Sequence, residues 1–259
     1  MKYLKKYKIL IFLIMCFILG FLTMPLFHNG YIGTLLNTFT YVNGGYQVLI
    51  IIGLLFLVVL LHELAHFLTF IFMGVKSEAI IVFMFLFYKN KDNKWRLKIN
   101  PKLLLLGGGL VWPSLGPINN EEDFKKARKA MQTSLLAAPL FTLISGVLFL
   151  LVSMIFFYDT FSFPISFYIF LFTIIYTYAS TMESSQIVGD FKAYKRVKND
   201  LDFSNLVILQ YCDLTDYQYE YIENYLKEHN FYNRQTRTYL GYLLEKHIFG
   251  NEEVSMFFI

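Results

Sequence analysis

VLIIIGLLFLVVLLHELAHFLTFIFM, residues 48–73, is an apolar run with two histidines and a glutamate set into its second half. As a straight helix it would measure about 39 Å, longer than a hydrocarbon core of about 30 Å, so it must tilt or protrude. A lipid-facing helix gains nothing from two imidazoles and a carboxylate, and burying them there is costly. His62 and His66 stand four residues apart and therefore share one helical face. Their axial separation of about 6 Å lets two zinc–nitrogen bonds of about 2.0–2.1 Å converge on one ion. Glu63, beside that face, can reach a water on the same ion, which is the HExxH pattern of metal-dependent hydrolases. The alternative is a polar cluster that only bonds neighbouring helices. An idle charge at this depth is expensive, and that favours the metal.

The rest of the composition agrees with a membrane setting. Hydrophobic residues make up 56% of the chain and charged ones only 16%, too apolar for an ordinary soluble domain. Cys16 lies in an apolar run and Cys212 in a polar tail, so a disulfide framework is not expected. The expected partner is a lipid bilayer, not nucleic acid.

The expected fold class is mainly α: a polytopic membrane protein of about four transmembrane helices. Their expected positions are 9–27, 48–73, 131–157 and 163–183. The first is read as a retained helix, since no small-residue cleavage site follows it. Between spans two and three, residues 79–112 read as a short membrane-associated β region of two or three strands. Trp95, Leu97 and Ile99 alternate there with Arg96 and Lys98. A pair of short half-spanning helices is the alternative. Asn119 or Asn120 can cap a helix whose first turn carries Glu121, Glu122 and Asp123, and Pro139 should bend the span that follows. Residues 1–190 form the expected membrane core and 191–259 a cytoplasmic tail with helices near 216–228 and 234–248. That tail is a candidate docking or regulatory piece, but Tyr217, Tyr219, Tyr221 and Tyr225 read first as residues that pack its two helices together. All 23 Lys and Arg fall in segments 1–8, 76–102, 125–129 and 192–246. Such one-sidedness predicts a multi-pass protein of the cell membrane with both termini cytoplasmic.

A catalytic zinc usually takes three protein ligands and leaves one position open. The acidic candidates at the inner end of the fourth span are Glu183 and Asp190. Depth along a straight helix favours Glu183, at about 30 Å against about 40 Å. A break over Ser184, Ser185, Gln186 and Gly189 would instead fold the chain back and bring Asp190 to the metal.

HELAH in an apolar span, a glycine-rich apolar stretch, a proline-containing third span and a late aspartate resemble the site-2 protease family of intramembrane zinc metalloproteases. The resemblance covers about residues 48–195. It implies Zn²⁺ held by His62, His66 and Asp190, with Glu63 as catalytic base. It further implies hydrolysis of peptide bonds in membrane-embedded or membrane-associated peptides and proteins, as in regulated intramembrane proteolysis. Residues 137–142 (AAPLFT) are similar to the family's third-span pattern, with Thr142 where an Asn is usual, so no oxyanion-stabilising Asn is assigned. Asp190 is followed by Phe191 where the family has Gly. An exposed strand edge near residues 103–110 could hold an extended substrate, with Gly107, Gly108 and Gly109 letting its backbone approach; a flexible turn is the alternative. A prenyl-protein-type HExxH protease fits less well, because its ExxxD motif would need Asp where Ile187 follows Glu183. A non-catalytic metal-binding membrane protein would keep the ligands without needing Glu63.

Overall fold

The computed structural model describes residues 30–90, 92–106, 108–183, 188–213 and 215–228. The expected span at 9–27, the helix at 234–248 and Gly107 lie outside these residues. Among them, three helices are long and apolar enough to cross a membrane: α2 (Gly44–Phe72), α3 (Glu121–Phe156) and α4 (Ser162–Ala179). They are preceded by a short α1 (Tyr31–Asn37) and followed by α5 (Asp190–Asn199), α6 (Leu201–Leu209) and α7 (Asp216–Glu228).

The described chain forms two units. One comprises residues 30–58 and 142–176. Its core joins Leu54 and Val58 to Ile169, and Tyr31 and Leu35 to Phe163. Gly146 lies so close to Thr173 that a Cβ there would collide with its side chain. Many large apolar side chains remain on the outside, Val48, Ile52, Ile144 and Ile175 among them. Helices that are apolar all round find their solvent in lipid.

The other unit comprises residues 59–141 and 177–228. It contains an antiparallel sheet of β1 (Lys76–Val82), β2 (Phe85–Lys89), β3 (Trp95–Ile99) and β4 (Gly109–Ser114), in the order β3-β2-β1-β4. The sheet thus has four strands where the sequence suggests two or three. The excess comes from a tight reversal after Val82, where Phe83 takes a left-handed φ of 51° and lets Val82 pair with Phe85. Apolar residues run through that turn, so nothing in the pattern announces it. The apolar run at 103–112 also divides. Pro101–Leu106 is a 3-10 turn, and the strand begins only at Gly109. Pro101 fixes a φ suited to a first helical turn, and Asn100 Oδ1 accepts from Lys102 N–H, so the run starts as a helix.

Asn120 caps α3: its Oδ1 accepts from Asp123 N–H at 2.9 Å, and Asp123 Oδ2 accepts from Asn119 N–H in return. The polar start and the apolar span are one helix of 36 residues with Pro139 inside it. The tail segment packs on the start of this helix. Ile208 joins Ile118 and Ala127, and Arg128 donates to the last carbonyls of α5, those of Val197 and Lys198. Tyr221 stacks obliquely on Phe124, so this ring packs the tail on α3 and not on a second tail helix.

Candidate active site

The HELAH segment lies on the second half of α2, within the sheet-bearing unit. Its polar side chains are all buried: His62 is 2% exposed, Glu63 3% and His66 8%. The two imidazoles sit one turn apart with ring centroids 4.9 Å from each other. Their common partner comes from α5. His62 Nε2 lies 2.9 Å and His66 Nε2 3.6 Å from Asp190 Oδ2. One ligand atom from each of the three residues lies within 4.8 Å of the others.

Asp190 reaches this place because the chain turns back beyond α4. That helix stops at Ala179, short of the expected 183. Gly189 N–H donates to the Met182 carbonyl, Phe191 N–H donates to the Ser180 carbonyl, and Glu183 bridges Val188. At Gly189 a Cβ would lie 2.6 Å from the Ser180 carbonyl, so only glycine allows the close crossing just before Asp190. Residues 184–187, the tip of this reversal, lie outside the described residues. Glu183 is not at the cluster; its carboxylate pairs with Arg196 Nη1 at 3.0 Å. Burial works against the Asp190 charge, but attraction to His66 and the hydrogen bond with His62 outweigh it. The carboxyl is therefore held well below the usual carboxylate range.

The donor set suits a metal. Two nitrogens and one oxygen bound at about 2.0–2.2 Å to a tetrahedral ion would lie about 3.3–3.5 Å apart, and the observed 2.9 and 3.6 Å bracket that spacing. Three ligands also leave the open position that a catalytic ion needs. With His66 Nε2 turned to Asp190, its Nδ1 meets Ser134 Oγ of α3 at 2.9 Å, an outer bond that orients the ring. Ser180 Oγ donates to Asp190 Oδ2 at 3.5 Å and steadies the carboxylate.

Glu63 faces the sheet. A Cβ on Gly109, the first residue of β4, would lie 2.6 Å from Glu63 Cδ and Oε1. The carboxyl therefore rests against bare backbone. Gly108 is used differently, its carbonyl accepting from Phe83 N–H at 2.8 Å.

The profile described as Peptidase family M50 matches residues 50–256, most of the chain and the whole of this site. The chain belongs to this family. It is the family of the site-2 proteases, and membership makes the chain a membrane metallopeptidase, in keeping with its three apolar helices. No curated protein and no solved structure matches it.

Among the residues that shape this M50 site, Ser134 and the contact of Ser180 with Asp190 escape a reading of the sequence, whereas Gly189 is one of the residues expected to break the fourth span and fold the chain back. The signal for Ser134 is faint: a small hydroxyl on an apolar span, five residues ahead of Pro139. Ser180 stands at the start of the reversal, and its contact with Asp190 follows only from the path of the chain.

Proposed function

We propose that this M50 peptidase is a zinc-dependent intramembrane endopeptidase of the site-2 protease kind. His62, His66 and Asp190 are its metal ligands and Glu63 its general base. The observation that carries this is the convergence of the three donors, with Glu63 buried one residue from the first. Zn²⁺ bound there would polarise the scissile carbonyl and acidify the attacking water. Glu63 takes the proton from that water and returns it to the leaving amine. Ser134 keeps the His66 ring turned to the ion.

A helical substrate hides its carbonyls, so the target segment unwinds before it is cut. β4 is an edge strand of the described sheet, and its first residue touches Glu63. An extended peptide added along this edge would pass beside the base, with Gly108 and Gly109 keeping side chains out of its way. Substrates are membrane-tethered regulators or small exported peptide precursors, cut as in regulated intramembrane proteolysis. The one-sided distribution of Lys and Arg supports a multi-pass topology with both termini in the cytoplasm.

The test uses purified protein and a panel of single-span anchors and signal-peptide remnants. Glu63→Gln should lower cleavage at least about 100-fold, the usual worth of a general base, while metal analysis still finds zinc. Cleavage that survives the substitution removes Glu63 from the chemistry. A wild-type chain that holds zinc and cuts nothing favours a non-catalytic metal-binding protein.

A further inference from the structure

An open cleft lies in the sheet-bearing unit, at the end of α2. It has a volume of about 390 Å³ and is lined by Phe67, Ile71, Gly74, Val75, Lys76, Ser77, Lys89 and Trp95. That volume falls within the range of about 300–1,000 Å³ usual for small-ligand sites. The active site uses none of these residues.

Its lining has two characters. On one side are cations: among the described residues neither Lys76 nor Lys89 meets a carboxylate, and Lys89 Nζ stands 5.5 Å above the Trp95 ring. Ser77 lines the same cleft, but its hydroxyl is buried beneath the surface, on the face of β1 opposite to Lys76. On the other side Phe67 meets Trp95 edge-on at 5.8 Å, and Ile71 continues the wall. This wall belongs to the last two turns of a membrane-spanning helix, whose neighbouring Leu68 and Phe72 are exposed, Phe72 by 85%. A tryptophan and unpaired lysines at the end of such a helix mark the level of lipid headgroups.

We infer that this cleft binds the phosphate headgroup of an anionic phospholipid, whose acyl chains lie along the exposed face of α2. Lys76 and Lys89 offset the phosphate charge. Trp95 and Phe67 cover the glycerol region, and Leu68 and Phe72 meet the chains. A soluble phosphate shares only the first half of this chemistry, and the apolar wall gives it nothing.

Full-length protein in phosphatidylcholine nanodiscs provides the test. Brominated phosphatidylglycerol or brominated phosphatidylcholine of identical chains is titrated in, and the tryptophan quenching lost in Trp95→Phe is assigned to Trp95. The anionic lipid should half-saturate this quenching at a mole fraction about thirtyfold lower, from two lysines each of the strength usual beside an anionic surface. The double variant Lys76→Gln/Lys89→Gln should abolish the difference. Lys94→Gln/Lys98→Gln removes equal charge from exposed positions outside the cleft and should preserve it. Equal quenching by both lipids would overturn the inference. So would equal losses in the two double variants, which would mean diffuse surface attraction without a site. Protection by millimolar inorganic phosphate would leave an anion site and dismiss the lipid. None of these readouts depends on proteolysis.

Discussion

The two units treat buried polar groups differently. In the all-helical unit, the hydroxyls of three buried helical residues bond within their own turn of chain, Thr38 donating to the Leu35 carbonyl, Ser166 to that of Phe163 and Thr173 to that of Phe170, while Tyr31 reaches across to the Met154 carbonyl. In the sheet-bearing unit, His66 meets Ser134, 68 residues along the chain, and His62 meets Asp190, 128 residues along. A hydroxyl bonded three residues back satisfies itself wherever the helix goes, and removing it leaves no orphan elsewhere. A group whose partner comes from another element is placed by the fold, and its loss strands that partner. At the site, both imidazoles depend on partners brought from distant segments, and losing one member of either pair strands the other.

Substitutions of decreasing effect probe this contrast. The largest is expected for Asp190→Ala, which should leave no zinc on the purified protein, while Glu183→Ala, losing only its pair with Arg196, should retain it; metal analysis of both decides. Should Glu183→Ala lose the metal instead, the chain reversal has been misjudged. Gly109→Ala comes next. Its methyl must displace the Glu63 carboxyl, and a misplacement of about 1 Å costs about 100-fold in turnover, so kcat should fall with zinc content unchanged. Ser134→Ala should weaken zinc about 10–100-fold, the usual cost of removing an outer partner of a ligating histidine, read by competition with a chelator. The smallest effect belongs to the scaffold. Gly146→Ala overpacks against Thr173 and should cost about 1–3 kcal/mol of unfolding free energy, with zinc affinity untouched. A zinc defect in Gly146→Ala as large as that of Ser134→Ala would erase the distinction between the units.

Part of this is legible without coordinates. Apolar runs give three helices to within a few residues at most ends, because length and hydropathy alone decide whether a segment can cross a bilayer. The shared face of His62 and His66 follows from helical period. The turn at Phe83 and the 3-10 segment at 101–106 do not show, because both are apolar and short, and periodicity cannot divide a run of that kind. Depth along a straight fourth helix points to Glu183. The helix is not straight to that depth: it ends at Ala179, and the chain doubles back through Gly189.

The sequence by itself determined that this chain is built for lipid and that a pair of imidazoles and a carboxylate stand together on one buried turn. Local period and hydropathy suffice for that, since both act within a few residues. Only the tertiary structure decided which distant groups join them. Asp190 and Ser134 arrive by a chain reversal and a helix contact, and Gly109 by strand pairing. Those placements depend on packing between segments far apart in the chain, about which a linear pattern carries no distance information.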